Sequence, residues 1–143
     1  MFVKQISVFL ENKPGKLSQV TDILEKNDID ISAISIADTT EFGILRMIVN
    51  KPEEAVAAIK AEKFPVSTTE VLAVEVADKP GGLNLALQTL NEAGVSIEYL
   101  YSFIKRNGKR ALILFRVEDP EKAVEVLQSA GIKLYTTEEI NSL

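Results

Sequence analysis

The sequence predicts an α+β protein made of two βαββαβ units of about 70 residues each. The first observation is an internal repeat: a Lys-Pro-Gly triplet at residues 13–15 recurs at 79–81, an offset of 66. A Pro-Glu-x-Ala-Val segment at 52–56 recurs at 120–124, and a Thr-Thr-Glu triplet at 68–70 recurs at 136–138, both at an offset of 68. One two-residue insertion accounts for the change of offset. The second observation is that both copies show the same succession of strand-like and helix-like hydrophobic patterns.

The repeat also predicts the domain organisation, with residues 1–69 as the first unit and residues 70–143 as the second. A unit of this size buries only about 60% of the surface of its unfolded chain and is marginally stable alone. No stretch rich in Pro, Gly or Ser separates the copies. We therefore expect two ferredoxin-like units packed side by side, with merged antiparallel sheets.

In the first copy, alternating apolar residues predict a strand over residues 3–10. Pro14 is expected in the first turn of a helix, where its missing amide hydrogen costs nothing, and that helix should end near residues 27–28. Residues 39–43 are expected to form a turn between strands over 29–37 and 44–49. A second helix is expected from Pro52, followed by a short strand from Pro65.

The second copy predicts the same order of elements. Strands are expected over residues 71–76, 95–104, 111–117 and 132–135, with helices over 80–93 and 120–130. An Asn-Gly pair at 107–108 is the strongest short-range signal for a hairpin turn, here between the second and third strands of the copy.

The composition excludes several classes of function. The chain of 143 residues carries a net charge of −5, which disfavours a nucleic-acid partner because such binding depends on Lys and Arg neutralising phosphates. It contains no Cys and no His, which removes thiolate nucleophiles, zinc–thiolate sites and the commonest general base. No apolar run approaches the ~20 residues that span a bilayer. The N-terminus resembles a strand more than a signal peptide, so we predict a cytoplasmic protein with no membrane partner.

The repeated loop between the first strand and first helix of each copy is the candidate site. Asn12 or Asp78 can accept hydrogen bonds from amides beyond the proline, and the following glycine allows close approach of a ligand or a neighbouring backbone. Free amides at the start of the helix would suit a carboxylate or phosphate. The same pattern also fits a helix start with no ligand.

This loop, followed by an amphipathic helix that ends at residues 94–97, resembles the ACT domain, and the resemblance extends over both copies. It implies a non-catalytic regulatory module that binds a small ligand, most often an amino acid, between paired units. The strand-to-helix loop of one unit would face the second strand of the other, and the chain would form a homodimer or join a regulated enzyme. No cofactor and no metal are expected. The ligand-binding residues implied in this way are Asn12, Pro14, Gly15, Lys16, Leu17, Ile31, Ser32, Ala33, Asp78, Pro80, Gly81, Gly82, Leu83, Ile97, Glu98 and Tyr99.

The two copies differ within this predicted site. Asn12 stands where the family usually has an acidic residue, and Lys16 corresponds to Gly82, so we expect two unequal sites. Three other functions stay open. The chain could be an assembly module without a ligand, a small enzyme using Lys, Tyr or carboxylates, or an RNA-binding sheet that uses Tyr99, Tyr101 and Phe103.

Overall fold

A computed structural model describes residues 1–38, 41–104 and 108–143. They divide into an N-terminal unit, Lys4–Thr69, and a C-terminal unit made of Glu70–Leu143 with Met1–Val3. The sequence predicted these first three residues in the first unit; they belong with the second because Phe2 packs against its core. None of the helices in the described ranges is long and apolar enough to cross a membrane.

The N-terminal unit has a βαββα order followed by the start of a fourth strand. Its strands adopt the order β2-β3-β1-β4, and the β1–β3 and β2–β3 pairs are antiparallel. The proline of the second helix lies at its first turn, as predicted. The elements are β1 (Val3–Glu11), α1 (Lys16–Lys26), β2 (Ile31–Asp38), β3 (Phe42–Val49), α2 (Pro52–Ala61) and β4 (Val66–Ala77).

Both helices of this unit cover one face of its sheet. Ile6, Val8 and Leu10 alternate along β1 and point to the same face, because successive side chains of a strand point to opposite sides. The helices contribute apolar residues spaced by one turn, such as Val20 and Leu24 of α1. The apolar face of α1 that contains these two residues therefore packs on the sheet.

The C-terminal unit repeats this arrangement and adds a short final helix. Its strands adopt the order β4-β6-β5, with β7 pairing on β4, and these pairs are antiparallel. Phe115, Leu90 and Leu127 are fully buried in its core. The further elements are α3 (Gly82–Glu92), β5 (Ile97–Ser102), β6 (Arg110–Val117), α4 (Pro120–Ser129), β7 (Leu134–Tyr135) and α5 (Thr137–Asn141).

Strand β4 differs from the prediction. The sequence predicted a short strand that begins at Pro65 and a separate one from residue 71, but the structure has one twelve-residue strand, Val66–Ala77. Thr68 and Thr69 are β-branched and suit an extended backbone, so the polar segment that resembled a joint continues the strand. The boundary between the units thus falls inside a strand.

The insertion that changes the repeat offset lies between β5 and β6. The second strands of the two copies begin 66 residues apart, at Ile31 and Ile97, and the third strands begin 68 apart, at Phe42 and Arg110. The predicted Asn-Gly turn falls partly on residues 105–107, which lie outside the described residues, as do residues 39–40 of the other predicted turn. The β3 strand begins at Phe42, two residues earlier than predicted.

Candidate functional site

The repeated loops have nearly the same backbone in both units. Gly15 and Gly81 adopt left-handed conformations, with φ of 87° and 89°, and each is the N-cap residue of the helix that follows. Pro14 and Pro80, predicted inside the first helical turn, lie one residue before these glycines. The prediction was wrong because a glycine in the left-handed conformation lies between the proline and the helix and changes the direction of the backbone there. Glycine adopts this conformation readily because it has no Cβ to clash.

Each loop is tied to the sheet and closed on itself by backbone hydrogen bonds. The amides of Asn12 and Asp78 donate to the carbonyls of Glu41 and Lys109, both at 2.9 Å. The amides of Lys16 and Gly82 donate back to the carbonyls of the loop lysines, residues 13 and 79, at 3.3 and 3.0 Å. The prediction that the Lys16 amide is free for a ligand is therefore wrong, because the loop uses it to form its own turn.

The helices that follow the loops differ electrostatically from the other three described helices. Neither α1 nor α3 has an acidic residue in its first turn, and a glycine N-cap supplies no capping side chain. In contrast, α2, α4 and α5 all carry glutamate in the first turn. In α2, α4 and α5 these carboxylates partly neutralise the positive end of the helix dipole. The positive ends of the α1 and α3 dipoles have no such carboxylate.

The packing of the C-terminal unit requires a glycine at residue 82. A Cβ built on Gly82 would overlap the carbonyl oxygen of Ala77 at the end of β4. A Cβ on Gly15 or on Gly81 would meet no heavy atom within 4 Å. The absence of a side chain at Gly82 therefore allows α3 to start close to its preceding strand, whereas Lys16 of the first copy carries a side chain at the equivalent position.

The strand segments predicted to face the loops share an irregularity in the two units. The pairing register shifts between Ile31 and Ala33 in β2 and between Ile97 and Tyr99 in β5. Such β-bulges re-aim side chains and are common next to functional sites. Ser32 is buried, and the Glu98 carboxylate lies 3.3 Å from the Arg116 guanidinium, which already provides it with a cation. That each loop is paired with the strand of the other unit stays a prediction.

A groove lies beside the helix-start region in each unit. The N-terminal groove has a volume of about 940 Å³, and the C-terminal groove has a volume of about 530 Å³. Both lie between the end of the unit's first strand, the start of its first helix and the segment after its second helix. Nine pairs of lining residues match by the repeat offsets, among them Phe9 with Glu75, Lys16 with Gly82, Gln19 with Leu85, Phe42 with Arg110, and Phe64 with Ile132.

The whole chain, residues 1–143, matches the family model described as the ACT domain pair. The chain belongs to the ACT domain family. The C-terminal half of the repeat and the N-terminal half are thus its two ACT units, and the resemblance inferred from the loops is confirmed. Among the described residues of this ACT domain pair, no group of three or more acidic side chains is placed to hold a metal ion.

Solved structures support the fold of the ACT pair over its whole length. A protein from Bacteroides thetaiotaomicron is 39% identical, with a TM-score of 0.93, and the match covers 100% of this chain and 98% of the other. The regulatory subunit of aspartate kinase from Thermus thermophilus is 18% identical, with a TM-score of 0.66 over 89% of this chain and 91% of the other.

A third solved structure is a larger protein. The aspartate kinase of Clostridium acetobutylicum is 15% identical, with a TM-score of 0.53, and the match covers 90% of this chain but 33% of that one. At this identity the likeness concerns the fold alone. No curated protein is significantly similar to this ACT pair in sequence.

The groove of the C-terminal ACT unit contains an ion-paired network that the sequence analysis missed. The Glu75 carboxylate accepts hydrogen bonds from the Tyr135 hydroxyl at 2.6 Å and from Arg110 Nε at 2.9 Å. Burial raises the pKa of Glu75, but these hydrogen bonds and the Arg110 charge outweigh that effect and hold the pKa below its ordinary value of 4.5. An alignment of the two copies at every position would have drawn attention to Glu75, because this charged residue is at the position equivalent to Phe9.

This network predicts a pH-dependent contribution to stability. Because the pKa of Glu75 is lower in the folded state, its ionised carboxylate stabilises the fold above the unfolded-state pKa, and the contribution is lost as pH falls through the folded-state pKa. We expect the difference in unfolding free energy between the native chain and Glu75→Gln to be largest near neutral pH and to shrink below about pH 4.5. Urea titrations across this range measure it.

The Tyr135→Phe variant provides the control for this prediction. Removing the hydroxyl donor raises the folded-state pKa of Glu75 towards its unfolded-state value, so the stability lost on acidification should be smaller than in the native chain and complete at a higher pH. An unchanged difference between the native chain and Glu75→Gln at neutral and acid pH would contradict the assignment.

Proposed function

We propose that this ACT pair is a non-catalytic regulatory protein that binds a small ligand, an amino acid, at the interface of its two units. Membership of the ACT family supports a regulatory role. The fold shared with a regulatory subunit of aspartate kinase agrees with that role. We further propose that the ligand changes the association of the chain with itself or with an enzyme that it regulates.

The electrostatics of α1 and α3 carry this proposal. These two helices begin at the repeated loops and have no carboxylate in their first turns. An α-carboxylate placed there would interact with the positive end of a helix dipole. Asp78 would then face the ammonium group of a ligand at the second loop. Asn12 carries no charge at the equivalent position, and Glu98, on the strand predicted to face the first loop, is already paired with Arg116, so the second loop is better suited than the first to a zwitterion.

A ligand held by two units can act as a signal because it contacts both. A ligand shifts a conformational equilibrium only by its difference in affinity between the two states. If the units move relative to each other, a ligand between them loses the contacts to one side. Binding therefore favours the arrangement in which both sets of contacts form.

Isothermal titration of the whole chain with each common L-amino acid tests the function. We expect heat of binding from one or a few of them, accompanied by a ligand-dependent change in sedimentation coefficient. Asp78→Asn should weaken binding of that ligand by about tenfold, since a hydrogen bond to a charged group contributes about 1.5–3 kcal/mol.

Asn12→Asp is the matched control, because it makes the reciprocal change at the equivalent position of the first loop. It should not reproduce the loss caused by Asp78→Asn. Circular dichroism establishes that both variants are folded. If the folded native chain gives no heat with any amino acid, the proposed function is wrong and the ACT pair is better explained as an assembly module.

A further inference from the structure

Three phenylalanine side chains line the N-terminal groove. Phe9 and Phe42 are 45% and 55% exposed, and Phe64 is half-buried on the same groove. The Phe9 amide donates to the carbonyl of Pro65 at 3.0 Å, so β1 and the segment carrying Phe64 are held together. Single exposed apolar residues are common on protein surfaces, but aromatic side chains gathered in one groove indicate a binding surface.

A cation lies beside one of these three aromatic rings. Lys16 is the first residue of α1, and its Nζ is 6.0 Å from the centroid of the Phe64 ring. Three carboxylates line the groove. Glu11 pairs with Lys13 and Asp22 with Lys26, both at 2.8 Å, Glu62 is the third, and Glu11 also interacts electrostatically with Lys16. Within the described part of the chain, Lys16 has no ion-pair partner within 4 Å, so its ammonium and the helix dipole can attract an anion.

The equivalent groove of the C-terminal unit has the opposite character. Glu75 and Arg110 occupy the positions of Phe9 and Phe42 and are hydrogen-bonded to each other at 2.9 Å. Gly82 stands in place of Lys16, so the cation at the helix start is absent from this copy. The two grooves therefore offer different chemistry at the same place in the fold.

We propose that the N-terminal groove binds a small carboxylate bearing an aromatic or bulky apolar group, with one such ligand per chain. The carboxylate lies at the Lys16 ammonium and the start of α1, and the apolar group packs against Phe9, Phe42 and Phe64. The groove volume of about 940 Å³ falls within the range of ~300–1,000 Å³ found for ligand pockets. The inference goes beyond the proposed function, because every lining residue of this groove belongs to the N-terminal unit.

Calorimetric titration of the whole chain with four compounds tests the ligand class. L-phenylalanine and phenylacetate contain both the ring and the carboxylate, and we expect each to bind at one site per chain. 2-Phenylethylamine has the ring without the carboxylate, and L-lysine has the carboxylate without an apolar group. We expect both to bind at least tenfold more weakly than phenylacetate, a factor equal to about 1.4 kcal/mol.

Substitutions locate the site. Phe9→Ala and Lys16→Gln should each weaken phenylacetate binding by about tenfold, through lost apolar burial and a lost charged contact respectively. The double substitution Phe9→Glu with Phe42→Arg copies the C-terminal groove and should abolish binding. Leu85→Ala in the C-terminal groove is the matched control and should leave the affinity unchanged. Circular dichroism establishes folding of each variant.

The possible results separate this inference from the proposed function. If L-lysine or another polar amino acid binds and the aromatic carboxylates do not, the ligand class is wrong while the amino-acid function stands. If phenylacetate binds and neither Phe9→Ala nor Lys16→Gln changes its affinity, the site lies elsewhere and the inference is wrong. If the folded native chain binds neither phenylacetate nor any amino acid, both proposals fail.

Discussion

Gly82→Ala is expected to destabilise the C-terminal unit by about 3 kcal/mol, the upper part of the range for overpacking a close contact. The added Cβ would overlap the carbonyl oxygen of Ala77, which belongs to the backbone and cannot rotate aside as a flexible side chain would. Relief requires α3 to move away from the end of β4. Urea denaturation followed by circular dichroism measures the loss.

Gly81→Ala is the control for this prediction, because it adds the same methyl group one residue earlier. Gly81 has a φ of 89° and an added Cβ there meets no atom within 4 Å, so only the cost of a left-handed backbone applies. That cost is about 1–2 kcal/mol. If Gly82→Ala destabilises the unit no more than Gly81→Ala does, the close approach to Ala77 is not the reason for this glycine.

Leu90→Ala should also destabilise the C-terminal unit by about 3 kcal/mol, because it removes buried methyl groups and leaves a cavity. Leu90 is 0% exposed and belongs to the core beneath α3 and α4. Equilibrium unfolding in urea measures this effect, and the dependence of the free energy on denaturant should stay close to that of the native chain.

Leu85→Ala makes the same chemical change on the same helix, but Leu85 is 62% exposed. Alanine and leucine have similar helix propensities, so the change should alter the free energy of unfolding by less than about 0.5 kcal/mol. Equal losses for Leu85→Ala and Leu90→Ala would contradict the assignment of Leu90 to the core.

The repeat and its hydrophobic periodicity were sufficient to predict the order of elements in both units. Alternation along β1 identified Ile6, Val8 and Leu10 as one buried face, which the structure confirms. The single strand β4 could not be predicted in this way. Its polar middle, which contains Thr68 and Thr69, has a composition compatible with a loop or a strand, and pairing with neighbouring strands decides between them.

The sequence predicted the position of the repeated loop correctly, but it did not predict the conformation of the loop's backbone. Proline is compatible with the first turn of a helix and equally with the residue before a turn, so Pro14 and Pro80 did not distinguish the two. The left-handed conformation of Gly15 and Gly81 decides where the helices begin. The need for glycine at residue 82 depends on a tertiary approach of the Ala77 backbone, which no local pattern reveals.

The grooves were missed because their residues are distant in sequence. Phe9, Phe42 and Phe64 lie on three different segments and show no common spacing. A signal was nevertheless present. Aligning the copies at every position, and not only at the loops, places aromatic residues of the first copy opposite Glu75 and Arg110 of the second.

The twelve-residue strand β4 determines how this protein can be dissected in the laboratory. Its residues Val66–Ala77 extend on both sides of the boundary between Thr69 and Glu70. A protease or an expression strategy that separates the halves must cut a paired strand, which leaves two frayed sheet edges prone to pairing with other chains. Ligand affinities measured on either half would then describe an altered edge, so the intact chain is the smallest meaningful sample.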